Sequence, residues 1–155
     1  MRLDQILKIE FINDNLQARN KDEVLAELAE TITKGGLNID TANIVAVLQQ
    51  REKLGSTGIG DGVAIPHGKI GALEELIVSF GRSKAGVSFD SMDGKPVHLF
   101  FLLLAPENSA GQHLKALAKI SKMLKAGNFR KKLIEAKTKS DLYEIIIEQD
   151  EACPV

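Results

Sequence analysis

The chain has 155 residues, 44% hydrophobic and 26% charged, with a formal net charge of -1. That length predicts one domain, residues 1–155, able to bury a core without disulfides or metal. No excess of Lys and Arg is available to neutralise phosphates, which argues against an electrostatically driven nucleic-acid or membrane partner. The one cysteine, Cys153, cannot build a disulfide framework and fits a reducing, cytoplasmic setting. It sits in a tail expected to fray, and the closing Cys153-Pro154-Val155 is a residue short of a prenylation box. The opening MRLDQILKIEFINDN is broken by Asp4, Lys8 and Glu10 and does not read as a signal peptide. No apolar run approaches the roughly 18 residues that span a bilayer.

A first helix is predicted over Lys21 to Lys34. Asn20 caps it, Glu23 stands at capping-box spacing, and Val24, Leu25, Leu28 and Ile32 share one face. Gly35 and Gly36 stop it. A second helix, TANIVAVLQQREK, follows Asp40 as N-cap, with Ile44, Val45 and Leu48 inward and Gly55 at its end. The glycine-rich segment GSTGIGDGVAIPHGK comes next, Gly55 to Lys69, with Val63 to Ile65 as a short strand inside it. LIVSFGR, Leu76 to Arg82, reads as a strand. GVSFDSMDGKPVHLFFLLLAP reads as a hairpin turned at Asp93-Gly94, with a second arm that is apolar on both faces. Ser109 is placed as the cap of AGQHLKALAKISKMLK, with Leu114, Leu117, Ile120 and Leu124 on one face and a break at Gly127-Asn128. FRKKLIEAK is a short helix, and Ser140 is the expected cap of a last one, DLYEIIIEQ. This order of elements predicts a three-layer α/β/α sandwich with a mixed central sheet.

Gly58, Gly60 and Gly62 alternate, a spacing that can present successive backbone N–H groups to an anion. Ser56 and Thr57 add hydroxyls. No Gly-Lys-Ser/Thr follows, so this is not a P-loop, and no helix opens behind it as in a dinucleotide site. On spacing alone a plain surface loop and a phosphate site stand equally open. Pro66 fixes its own φ and holds Ile65 extended, so His67 emerges at a rigid strand end. A neutral imidazole is nucleophilic near pH 7. Set beside an anion-binding loop, it suits phosphoryl transfer, which depends mostly on positioning and charge stabilisation.

Two further residues fit that chemistry. His113 lies near the start of its helix, where the macrodipole attracts anions and keeps an imidazole neutral. It also shares the helix's apolar stripe, so a packing histidine is the other reading. Arg51, at the end of the second helix, can hold a phosphoryl group bidentately, or it is a solvated helix-end arginine beside Glu52. His98 reads as structural or exposed, with no role. A metal site from the three histidines is not expected, because no pair has ligand spacing and the cysteine is terminal.

EKLGSTGIGDGVAIPHG, Glu52 to Gly68, resembles the active-site signature of the mannitol/fructose-type enzyme IIA domains of the bacterial phosphoenolpyruvate-dependent phosphotransferase system. An acidic residue opens it, an apolar-glycine pair follows, and Val-Ala-Ile-Pro-His closes it. The resemblance extends over almost the whole chain, and REKLGSTGIGDGVAIPHGKI is most similar to the nitrogen-regulatory branch. The resemblance implies that His67 accepts a phosphoryl group from a small histidine phosphocarrier protein. His113 would sit beside His67, and Arg51 would help hold the phosphate, with Ser56, Thr57, Gly58 and Gly60 in the loop around it. It implies an α/β/α sandwich, no metal and no organic cofactor. A free-standing chain of this branch is expected to be regulatory. Its two forms would bind different protein targets in nitrogen or potassium metabolism, with no nucleic acid and no direct membrane insertion. Two alternatives remain: passing phosphate to a fructose- or mannitol-type permease, and a binding module that has kept only the fold.

Overall fold

The computed structural model describes residues 2–153. Met1 and the last two residues of the Cys-Pro-Val ending, Pro154 and Val155, lie outside the described residues. A 3-10 turn, Leu3–Gln5, leads into strand β1, Leu7–Asn13. Helices α1, Lys21–Lys34, and α2, Thr41–Glu52, follow. Three short strands carry the glycine-rich segment: β2, Gly58–Gly60; β3, Val63–Ala64; and β4, His67–Lys69. Strands β5, Ile77–Val87, and β6, Val97–Ala105, precede helices α3, Ala110–Leu124, α4, Gly127–Glu135, and α5, Lys139–Ala152.

The strands make one mixed sheet in the order β1-β5-β6-β3-β2, with β4 also on β6. β5 and β6 are antiparallel, whereas β1 on β5, and β3 and β4 on β6, are parallel. The apolar run of the sequence becomes β6, the central strand, buried throughout except at His98. Burial on both faces requires cover on both sides. A side chain at Gly81 would strike Leu28 of α1, while its neighbour Arg82 donates to the carbonyl of Leu133 in α4. Successive strand residues face opposite ways, so α1 and α4 lie on opposite faces. α2 packs with α1 and against β4, and α3 and α5 flank α4. The three-layer sandwich with a mixed sheet is the architecture read from the sequence.

Several local expectations are corrected. β1 was not foreseen in the charged N-terminal segment; its burial is uneven, with Lys8, Ile9 and Glu10 exposed. The hairpin's first arm is not 86–91 but β5 itself, which runs on to Val87 and pairs with β6 directly. Residues 88–96 form the connection. In α3 the buried face is His113, Ala116, Lys119, Ile120, Met123 and Leu124, and Leu114 is 66% exposed. Counting leucines misplaced the stripe because small Ala116 and ion-paired Lys119 occupy core positions. Ser109 does not cap α3 with its side chain; its hydroxyl donates to the carbonyl of Pro106 at 2.7 Å. α3 ends at Leu124, ahead of the break expected at Gly127-Asn128, and Gly127 opens α4; Thr138, not Ser140, caps α5 by accepting from the Asp141 amide at 3.0 Å. At α1, Asn20 accepts from the Glu23 amide at 2.9 Å, but the Glu23 carboxylate accepts from Arg19 N, one residue beyond the N-cap amide that a capping box would use.

Candidate functional site

β3 and β4 continue one another along β6, with Ala64 opposite Phe100 and His67 opposite Leu103. Ile65 and Pro66 lie in the gap between them. Pro66 has no N–H, yet its carbonyl still accepts from the Leu103 amide at 3.0 Å, so the edge stays attached to the sheet. His67 therefore leaves the last short strand at a fixed place. Gly68 behind it is required by close approach, because a side chain there would collide with Val47 of α2. Helix α2 thus lies tight against the histidine strand and delivers Arg51 to it.

The imidazole of His67 is half-buried and held at both nitrogens. Nδ1 is 2.9 Å from the carbonyl of Ile65, and Nε2 is 3.2 Å from Arg51 Nε. A carbonyl can only accept and a guanidinium can only donate. The proton is therefore on Nδ1, and Nε2 presents its lone pair. Arg51 is steadied by a second bond, Nη1 to the carbonyl of Gly55 at 2.9 Å. His113, buried in the first turns of α3, stands edge-on to His67 with ring centres 5.3 Å apart. Its Nδ1 is buried without a hydrogen-bond partner.

Burial holds His67 below the ordinary histidine value, and the Arg51 charge pushes the same way, while the Ile65 carbonyl and Glu52 oppose them. Burial is also the main cause for His113, followed by His67 and Lys69. Both rings are thereby favoured in the neutral state. The structure brings together His67, Arg51 and His113, residues 16 and 46 positions apart by number (51 to 67 and 67 to 113).

The glycine loop is built differently from an open anion cradle. Asp61 and Gly62 have φ of 57° and 77° and connect antiparallel β2 and β3, as in a tight primed hairpin turn. The Ser56 hydroxyl donates to the carbonyl of Phe89 at 2.8 Å and accepts from the Gly58 amide at 3.0 Å. The Thr57 hydroxyl donates to Glu52 Oε2, and the Thr57 amide donates to Glu52 Oε1 at 3.1 Å. Both hydroxyls are thus engaged by Phe89 and Glu52 outside the loop, the Gly58 amide by Ser56 within it, and Gly60 pairs with Val63 across the hairpin. His98 lies elsewhere, its Nδ1 2.8 Å from the carbonyl of Ser83 beside the irregularity in β5. Glu52, the acidic residue that opens the signature, has no role in the sequence reading; it is buried and also meets Lys21 Nζ at 3.1 Å. Its place in the signature marks it, but a helix-end position does not say that the carboxylate is buried. Among the described residues no three His, Cys, Asp or Glu side chains form a metal cradle, and no helix is long and apolar enough to cross a membrane.

A family model described as the phosphoenolpyruvate-dependent sugar phosphotransferase system, EIIA 2, matches residues 5–149. A nitrogen regulatory protein of Bradyrhizobium diazoefficiens is 40% identical over 146 residues, covering 94% of this chain and 95% of that one. The fructose-specific EIIABC component of Bacillus subtilis is 35% identical over 150 residues, 97% of this chain, but the chain spans only 24% of that protein. The crystal structure of the nitrogen regulatory protein IIA-Ntr from Neisseria meningitidis aligns with a TM-score of 0.87 at 33% identity, over 93% of this chain and 98% of that one. The chain belongs to the EIIA 2 family of the phosphoenolpyruvate-dependent sugar phosphotransferase system.

Proposed function

We propose that the chain is a regulatory phosphocarrier that takes a phosphoryl group onto Nε2 of His67 from a histidine phosphocarrier protein. Proteins of the EIIA class are phosphotransferases that act through a phosphohistidine. The observation that carries the assignment here is the double anchoring of the imidazole, with Nδ1 on the Ile65 carbonyl and Nε2 toward Arg51. The Nε2 lone pair attacks the donor's phosphorus, a new N–P bond forms, and the donor's N–P bond breaks with its electron pair returning to the departing imidazole. The positive charge left on the His67 ring is stabilised at Nδ1–H by the Ile65 carbonyl. Arg51 exchanges its bond to Nε2 for bonds to the arriving phosphoryl oxygens. His113, with Nδ1 enclosed and unpartnered, keeps its proton on Nε2 and donates it toward the phosphoryl group. In this reading Ser56, Thr57, Gly58 and Gly60 support the loop.

Phosphorylation adds nearly two negative charges at one surface, enough to make or break an interface. The nitrogen regulatory relative, matched over 95% of its length, supports a regulatory output; the protein targets proposed for it act in nitrogen or potassium metabolism. Incubation with phosphoenolpyruvate, enzyme I and the histidine carrier should give an acid-labile, base-stable label that phosphorus–nitrogen NMR places on Nε2. No label, or a label on Nδ1, contradicts the assignment. The 35% identity to the fructose-specific component favours a second recipient, a sugar permease. Sugar phosphorylation that depends on this chain would displace the regulatory reading.

A further inference from the structure

We propose that Glu52 is a positioning residue for His67, acting through Thr57 and Ile65 and itself held by Lys21. The rate part of this inference rests on His67 being the phosphoacceptor; the structural part does not. A carboxylate taken out of water needs a countercharge and filled lone pairs. Glu52 has both. Oε1 accepts from the Thr57 amide at 3.1 Å and meets Lys21 Nζ at 3.1 Å, and Oε2 accepts from the Thr57 hydroxyl. Lys21, the first residue of α1, also stands 4.8 Å over the Phe89 ring and 3.6 Å from Asp90. One carboxylate thus fixes Thr57 at main chain and side chain together.

From Thr57 the path reaches the imidazole in two hydrogen bonds. The Thr57 carbonyl accepts from the Ile65 amide at 3.1 Å, and the Ile65 carbonyl accepts from His67 Nδ1 at 2.9 Å. Ile65 lies in the gap between β3 and β4, outside the paired residues of both strands. Its amide therefore depends on Thr57 and not on β6. Pro66, next along, has no N–H to add. The carbonyl that decides which nitrogen of His67 bears the proton is thus held, on its N-terminal side, by a residue that Glu52 holds. The charge of Glu52 also opposes the effect of burial on His67, so it favours the ring that becomes cationic when Nε2 is phosphorylated.

Three variants test this: Glu52→Ala, Glu52→Gln and Thr57→Val. Nitrogen-15 NMR of the unphosphorylated protein reads the His67 tautomer and pKa, single-turnover transfer reads the rate, and urea unfolding reads stability. Glu52→Ala should mix the tautomers and slow transfer roughly 10- to 100-fold, the cost of loosening a reacting group. Glu52→Gln keeps an oxygen for Thr57 but not the charge, so it should retain the Nδ1–H tautomer, lower the His67 pKa and slow transfer less. Thr57→Val should mix the tautomers without lowering the pKa as Glu52→Gln does. If variants lose stability while tautomer, pKa and rate stay at wild-type values, Glu52 is structural only and the proposal is overturned. Should Glu52→Ala not fold, the other two decide it on the same readouts. If wild-type protein takes no label, the phosphocarrier reading fails, and the tautomer and pKa still decide the role of Glu52.

Discussion

Arg51 and Arg82 are both withdrawn from solvent, and the molecule uses them in opposite ways. Arg82 is 1% exposed, and its donors close on main-chain carbonyls: Asp14 at 3.1 Å, Leu133 at 3.0 Å, and Ala136. It ties the β1–α1 connection to the C-terminal end of α4, where the helix dipole favours a cation. Lys119, buried against Asp150, is closed in the same manner; the other oxygen of Asp150 accepts from the Leu3 amide at 2.8 Å. Arg51 is only half-buried and spends one donor on the Nε2 lone pair of His67. Across from it, His113 keeps a buried nitrogen with no partner. Buried polar groups are normally satisfied. Those whose bonds are all internal hold the fold, whereas in the proposed reaction Arg51 and the Nε2 side of His113 turn to the phosphoryl group.

The largest expected effect is at the centre of the open region. His67→Ala should lose all label while unfolding as cooperatively as wild type. A variant that labels as well as wild type would remove the open site altogether. Arg51→Ala and His113→Ala should still label but transfer about 100- to 1000-fold more slowly, the usual loss when a charge-stabilising donor is removed. Single-turnover kinetics checks this, and a normal rate in either variant denies that residue its role. Arg82→Met should do the reverse. It leaves three carbonyls without their donor, so stability should fall by about 3 kcal/mol or more in urea, with the transfer rate unchanged. An equally stable Arg82 variant would break the contrast.

The smallest effect concerns pH. His67 and His113 both bind a proton less readily in the folded chain than in the unfolded one. The stability they contribute is therefore present above the unfolded value of about 6.5 and is lost as pH falls through the folded values. Transfer should persist below pH 6.5, where a free histidine is already largely charged. Arg51→Ala removes a charge that depresses His67, so its NMR titration should move upward. A titration that stays in place would show that Arg51 bears on the phosphoryl group alone.

Much of the candidate site was legible because its chemistry sits in residue types with few other uses. Pro66 before His67 declares a rigid mount, and Arg51 closes a helix whose phase is set by Ile44 and Leu48. The glycines were read less well. Gly60 and Gly62 look like an anion cradle in sequence, but paired strands turn Asp61-Gly62 into a hairpin corner. Ser56 and Thr57 carry hydroxyls that could face either way, and only the positions of Phe89 and Glu52 direct them inward. Leu114 shows the limit of periodicity. A stripe counted on leucines slips when Ala116 and Lys119 take core places, one by size and the other by pairing with Asp150.

By itself the sequence determined the helices α1 and α2 with their caps, the doubly buried β6, the sandwich that such a strand demands, and the proline-mounted histidine proposed as the nucleophile. These follow from local signals: cap spacing, apolar period and the stiffness of proline. Only the tertiary structure decided that His113 meets His67 edge-on, that the Nδ1 proton goes to Ile65, and that Glu52 is buried. Each of these depends on the partner that long-range packing supplies, and no window of neighbouring residues contains it.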